Sequence, residues 1–236
     1  MSVMSLARQD ATFVSSRILA HLPFISGVNI NLIDKNNQTW PSVESFMRCK
    51  FNEHYAANVL TYFPHILTLS CNNSFCSAVG IRAAESEPLY LEKYLHYPIE
   101  QEIGMRFKTA IERENIIEIG DFVLTGRARS QLLFVSLTDF LFRVDREWVV
   151  FTATREVESL LTKMNFMLVH LVDVSEKISD NKNDQWGSYY DEKPRVVFCH
   201  IPSAISVLKQ NTLMNSFLSL FSNQLAELID QWNAGS

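Results

Sequence analysis

What the chain lacks narrows its reading first. No run of about 18 apolar residues occurs, so no segment reads as a membrane-spanning helix. The opening MSVMSLARQD lacks the continuous apolar stretch of a secretory signal. The fairly apolar segment from Phe13 to Ile33 is interrupted by Arg17, His21 and Pro23. A cytoplasmic location is therefore expected. Positive charge is also short: 21 Lys and Arg against 26 Asp and Glu leave a net charge of −5. No global basic field exists to attract nucleic acid, so that class of partner is set aside. Cysteine is sparse and unpatterned. Cys49, Cys71, Cys76 and Cys199 form no C-x-x-C pair, and no two His stand at a metal-ligand spacing. No metal site is expected, and the four thiols are expected to be reduced and mostly buried. Cys199 adjoins His200, but neighbours on a strand face opposite sides, which keeps them from cooperating easily.

What is present suits a packed domain. Hydrophobic residues make up 47% of 236 and charged residues 20%, the balance of a globular core and not of a disordered chain. The length is long for one domain and short for two. Sixteen Phe imply a bulky core or a roomy apolar pocket.

Periodicity and turn residues order the elements. Residues 1–40 read as an extension with a short helix over Ala11–His21 and a strand over Val28–Ile33. Trp40-Pro41 marks a break, and Ser42 can cap a helix from Val43 to Tyr55. His65–Cys71 and Phe75–Arg82, joined by Asn72-Asn73-Ser74, predict a hairpin. A short helix over Leu89–Leu95 and a longer one from Ile99 to about Glu112, opened by Pro98, come next. Ile116–Leu124 is a β-branched strand, and Thr125–Arg129 connects it to a helix over Ser130–Arg143. Glu147–Ala153, Arg155–Lys163 and Phe166–Val172 continue as strand, helix and strand, the alternation of α/β packing. Ser179–Asn183 reads as a linker. A strand at Arg195–His200 precedes one long amphipathic helix from about Ser203 to Trp232.

Four ordered blocks carry a family resemblance. They are Leu89-Tyr90-Leu91-Glu92-Lys93-Tyr94-Leu95 with Pro98-Ile99-Glu100; Ile117-Glu118-Ile119-Gly120-Asp121; Trp148-Val149-Val150-Phe151-Thr152-Ala153-Thr154; and Trp186-Gly187-Ser188-Tyr189-Tyr190 with Pro194. Together they resemble the bacterial thermostable hemolysin family. That family in turn is similar to the GNAT superfamily and the acyl-homoserine lactone synthases. The resemblance implies an α/β (α+β) fold with a GNAT-like central mixed sheet over 41–200, an N-terminal extension at 1–40 and a C-terminal helix at 201–236. It also implies transfer of an acyl group from acyl-CoA, or from the phosphopantetheine of an acyl carrier protein, to an amino acid or other small amine. GNAT phosphate loops generally read Arg/Gln-x-x-Gly-x-Gly/Ala. Here Gly126-Arg127-Ala128 supplies the end of that pattern, with Val123 at its first position. The hemolysin block usually closes on Asn where this chain has Asp121.

On that footing, the donor's phosphates would meet the strand-to-helix handover: Leu124, Gly126, Arg127, Ala128, Arg129 and Ser130. Free N–H groups at a helix start, with the helix dipole, attract anions, and two arginines would add fixed charge. An ordinary polar turn with solvated arginines is the alternative. Glu118 is the candidate base for the acceptor amine, since a carboxylate in an apolar strand is costly unless paired or useful. Tyr189 or Tyr190 is the candidate acid, with aromatic packing as the alternative. Arg82 could hold a substrate carboxylate, and Glu92 and Glu100 a substrate ammonium, or all three could be surface and helix charges. Arg127, Arg129, Arg143, Arg146 and Arg155 would suit an acidic carrier protein or form a solvated face. The C-terminal helix lacks the Lys/Arg-rich polar face of a membrane-surface helix. It is expected to dock on the core or form a homodimer. A membrane-active lysin and an inactive binding module are the competing readings.

Overall fold

The computed structural model describes residues 27–85, 87–174 and 186–235. The expected helix at Ala11–His21 and the linker at Ser179–Asn183 lie outside these residues. Seven strands are present: β1 Val28–Asp34, β2 His65–Cys71, β3 Ser74–Ala83, β4 Ile116–Val123, β5 Trp148–Ala153, β6 Val169–Asp173 and β7 Arg195–His200. Among the described residues six α-helices accompany them: α1 Trp40–Tyr55, α2 Ile99–Phe107, α3 Arg127–Arg143, α4 Arg155–Lys163, α5 Ile201–Gln210 and α6 Thr212–Gly235. The strands form one mixed sheet in the order β1-β2-β3-β4-β5-β7-β6. Every neighbouring pair is antiparallel except β4 and β5, which run parallel.

Alternation along β4 divides its side chains between the faces of the sheet. Ile117 and Ile119 join Phe140, Phe221 and Leu225 of α3 and α6 in the largest buried cluster. Ile116 packs with Ile99 and Ile103 of α2 in a second cluster, and Val43, Met47 and Phe51 of α1 anchor a third. The sheet is thus covered on both sides. The divisions expected at residues 40/41 and 200/201 do not interrupt packing, since β1 is part of the sheet and α5 and α6 belong to its main core.

Local chemistry accounts for the departures from the sequence reading. α1 begins at Trp40 and not Val43; Pro41 sits in its first turn, where a missing N–H is no loss, and Ser42 is inside the helix and not its cap. The hairpin turn uses Asn72 and Asn73 at φ 50° and 62°, left-handed conformations that Asn tolerates. The segment at Tyr90–Tyr94 is a 3-10 helix. α2 stops at Phe107, five residues short of Glu112, because Lys108 turns left-handed at φ 55°. α3 starts at Arg127, three residues before Ser130, and β6 starts at Val169 and not Phe166. The long C-terminal helix is two: Asn211 is extended, and its side-chain Oδ1 accepts the Met214 N–H, capping α6.

One further expectation is corrected. Cys71 and Cys76 are joined by a disulfide across the hairpin, with Cα atoms 6.0 Å apart, and are not free thiols. The tight turn and the register shift after Leu69 bring them together. Of the other two, Cys199 is buried but Cys49 is exposed. The apolar side of α6 packs on its own chain, the first of the two dockings expected for it. Phe217, Leu218, Phe221, Leu225, Leu228 and Trp232 are all buried in the core. Gln224 Oε1 accepts the Ile30 N–H at 2.9 Å, and Gln231 Nε2 donates to the Leu32 carbonyl at 3.0 Å, so α6 grips the backbone of the edge strand β1. Among the described residues no helix is long and apolar enough to cross a membrane.

Candidate functional site

The site begins where two strands part. β4 and β5 pair from Ile116 and Trp148 only as far as Ile119 and Phe151, although β4 runs on to Val123 and β5 to Ala153. On its other side β4 bulges. Ala78 faces Val123 and Gly80 faces Gly120, so Asp121 and Phe122 oppose the single residue Val79. Asp121 takes φ 51°, a left-handed value that Asp reaches more readily than most residues. A cavity of about 650 Å³ opens here, lined by Glu118, Asp121, Arg82, Thr152 and a set of aromatic rings.

Gly80 and Gly120 face each other across β3 and β4, and Phe63 lies against both. A Cβ would come within 2.9 Å of Phe63 at Gly80 and 3.0 Å at Gly120. The missing side chains therefore let the ring rest on the sheet. Asp121 Oδ2 accepts the Phe63 N–H at 2.9 Å and fixes that loop. The Arg82 guanidinium then stacks over the Phe63 ring at 4.6 Å.

Arg82 and Glu118 are direct partners across β3 and β4, so their side chains share the cavity face. Glu118 is only 2% exposed. Its two carboxylate oxygens accept the N–H groups of Tyr90 and Leu91, each at 2.9 Å. Burial raises its pKa to about 7, against the opposing pull of those two N–H groups and Arg82. Asp121 is likewise pushed up to about 6 by burial, opposed by the Phe63 N–H and Arg82. Arg82 makes no hydrogen bond within the described residues. Its Nε is buried and unpartnered, and its ion-pair neighbour Glu87 stands 3.6 Å away. A guanidinium held beside a cavity with its donors unused is equipped to take a planar anion.

The other sequence candidates divide. Tyr189 and Tyr190 line the cavity, and the Tyr190 hydroxyl is 3.1 Å from that of Tyr94. Burial drives the Tyr94 and Tyr189 hydroxyls well above their ordinary range, so both stay protonated. Glu92 and Glu100 are not on the cavity wall. Both are held by Arg113, at 2.7 Å each, and Glu92 also accepts the N–H groups of Leu89 and Ile99. They clamp the turn at Tyr90–Tyr94 onto α2 and line a separate, open pocket with Arg113 and His96. Leu124 lies on the cavity rim, and Gly126, at φ 75°, opens α3 just beyond it. Ser130 is buried and donates to the Gly126 carbonyl, so it closes the first turn and does not face outward. Ala128 contributes backbone alone. Arg127 and Arg129 have no ion-pair partner among the described residues, whereas Arg143 pairs with Asp139 and Arg146 with Glu85. The proposed five-arginine face is thus reduced to Arg127, Arg129 and Arg155. Cys199 is buried, its thiol raised to about 12, while His200 turns to Ser203, so the pair does not act together.

Asp121 and Phe63 were not singled out as site residues, nor were Tyr94, Tyr55 and Trp186. The paired glycines and the aromatic spacing of the fourth block were their only signals. Among the described residues no group of three or more His, Cys, Asp or Glu is arranged to hold a metal ion.

The sequence model of the thermostable hemolysin family matches residues 33–205. No match was found among curated proteins. The fold is similar to three solved structures. BjaI, a CoA-dependent acyl-homoserine lactone synthase with SAM and isopentyl-CoA, shares 11% identity at a TM-score of 0.53, over 79% of this chain and 90% of that one. FeeM, an N-acyl amino acid synthase from uncultured soil microbes, shares 8% at 0.53, over 76% and 93%. TofI in an apo form shares 9% at 0.54, over 79% and 99%. The α/β core with a central mixed sheet expected from the sequence is therefore present.

Proposed function

The chain belongs to the thermostable hemolysin family, and from that premise we propose that it is an N-acyltransferase, moving an acyl group from a thioester donor to the amine of an α-amino acid. The observation that carries this reading is the facing pair Arg82 and Glu118 at the opening between β4 and β5. An α-amino acid bears an amine and a carboxylate on one carbon. Neighbouring guanidinium and carboxylate groups on one sheet face match that arrangement. The activities of the fold's neighbours, an acyl-homoserine lactone synthase and an N-acyl amino acid synthase, are consistent with it.

Each group has a task. Arg82 would hold the acceptor carboxylate with its free donors. Glu118, titrating near neutrality, would take a proton from the ammonium, since only the neutral amine attacks a thioester. The backbone groups of β4 and β5 beyond Ile119 and Phe151 lack partners on each other. They could hydrogen-bond the amides of a pantetheine arm lying between them. The donor's phosphates would then reach the start of α3, where first-turn N–H groups have no intrahelical partner and Arg127 and Arg129 stand free. As the C–N bond forms and the C–S bond breaks, the departing thiolate needs a proton. The Tyr190–Tyr94 hydroxyl pair, with Tyr189 beside it, is the nearest donor set. CoA and an acyl carrier protein present the same arm; the three free arginines would suit either.

The test is mass spectrometry of mixtures of the protein with acyl-CoAs or acyl carrier proteins and amino acids. An N-acyl amino acid that forms only with the protein is expected. Free fatty acid alone, or vesicle leakage without transfer, would reject the reading.

A further inference from the structure

One wall of the cavity is a continuous run of aromatic rings. Tyr55 and Tyr189 have centroids 5.4 Å apart, Tyr189 and Trp186 5.5 Å, and Trp186 and Tyr90 6.2 Å. The run ends at the reacting groups, because the Tyr90 N–H is one of the two donors to the Glu118 carboxylate. An acceptor whose amine and carboxylate sit between Glu118 and Arg82 therefore has this wall beside its side chain. The wall offers little to a charged substituent. Lys50 and Glu53 at the cavity edge pair with each other at 2.6 Å. His54 and Glu156 reach the lining beside Tyr55 but are exposed to solvent, and the inner charges are those already assigned.

Trp186 adds a polar feature to an otherwise apolar surface. It lines the cavity, yet its indole Nε1 is buried and has no hydrogen-bond partner among the described residues. Buried donors are nearly always met, so this N–H marks a place for a ligand atom. The indole N–H can only donate, so the atom it meets must be an acceptor. Flat rings pack on such a wall edge-to-face or offset.

We propose that this wall is the side-chain subsite of the acceptor, that it takes an aromatic α-amino acid, and that Trp186 selects one carrying a ring oxygen. The proposal deepens the acyl-transfer reading and rests on it. Phenylalanine fills the wall without meeting the N–H. Tryptophan fills it but brings a second donor. Tyrosine brings both ring and acceptor oxygen.

The test is a steady-state acylation assay on the full chain with one acyl-thioester donor and glycine, alanine, aspartate, phenylalanine, tryptophan or tyrosine. The kcat/KM for phenylalanine should exceed that for alanine by at least about tenfold, the scale of apolar pocket discrimination. Tyrosine should gain a further factor of about 2–10, one neutral hydrogen bond's worth. Trp186→Phe removes the N–H and should bring the tyrosine-to-phenylalanine ratio close to one. If that variant melts early, the benzothienyl isostere of Trp186, which keeps the shape and lacks the N–H, should give the same ratio. Acylation in which glycine or aspartate equals the aromatic acceptors overturns the proposal alone. So does an unchanged ratio in a folded variant. Failure of every α-amino acid with every donor overturns the acyl-transfer reading and this proposal with it.

Discussion

Glu118 is the residue at which fold and chemistry meet most closely. Its raised pKa, about 7 against an ordinary 4.5, makes it half-ionised near neutral pH. If it is the base, kcat/KM rises with pH through about 7, because the free enzyme must first lose that proton. Glu118→Gln keeps the size, and its amide oxygen can still accept one of the two N–H groups. It is expected to lower turnover by about 10²–10⁴-fold, remove that limb and leave donor affinity unchanged. Stability should follow the sign of the shift. The folded state binds the proton more tightly, so its stabilising effect is complete below 4.5 and is lost as pH climbs towards 7. Asp121 shifts in the same direction, from 3.8 to about 6. Melting temperatures measured across this window should fall with rising pH in the parent and fall less in the variant. Equal turnover in a folded Glu118→Gln protein would move the base elsewhere, with Asp121 next. Glu118 was legible in the sequence because a carboxylate interrupts the run of isoleucines at Ile116–Ile119. Asp121 was visible only as a departure from a family pattern. Its role depends on a bulge and on the Phe63 N–H, contacts 58 residues apart in the chain that no local pattern encodes.

Among the elements, the handover from β4 to α3 carries the donor prediction. Arg127→Ala combined with Arg129→Ala should weaken donor binding by about 1.5–3 kcal/mol per lost charge-assisted contact, while the melting temperature holds. Calorimetry with an acyl-CoA reads this directly; unchanged affinity would sink the phosphate-loop assignment. Strand positions were readable because alternation and β-branched composition are local properties. β7 and α4 fall where the sequence put them. Helix ends were harder. α2 stops at a left-handed Lys108, and the break at Asn211 rests on a single side-chain cap. Asn before Thr212 was a readable signal, but a long apolar stripe on both sides outweighed it. The surroundings of Glu92 were hidden for a different reason: its partner Arg113 lies 21 residues on, and sequence spacing does not reveal that pairing.

At the scale of the whole molecule, α6 decides whether the rest stays folded. A chain ending at Pro202 loses nine large buried side chains of the main core, three of them before the start of the last apolar stripe at Phe217, each contributing about 1.5–3 kcal/mol. That sum exceeds the margin of about 5–15 kcal/mol by which domains are stable, or comes close to it. Aggregation of the truncated chain is expected in light scattering. A truncated chain that stays soluble and equally stable, while losing vesicle leakage shown by the full chain, would favour a lytic role for the helix. The amphipathic pattern announced a docked helix. It did not say that the docking surface belongs to the same chain, because an apolar stripe looks alike in either case.

The grip of Gln224 and Gln231 on β1 has a consequence beyond packing. A sheet ends in two strands whose outer backbone groups can recruit a stranger's strand. Here one terminus has its Ile30 amide and Leu32 carbonyl already occupied by glutamine side chains. The other, β6, is five residues long and carries His170 and Asp173 in the open. Short, charged margins are poor templates for growth. With one border sealed by amides and the other guarded by charge, the folded molecule has little means of seeding fibrils from its own sheet, and self-association of that kind must wait until α6 lets go.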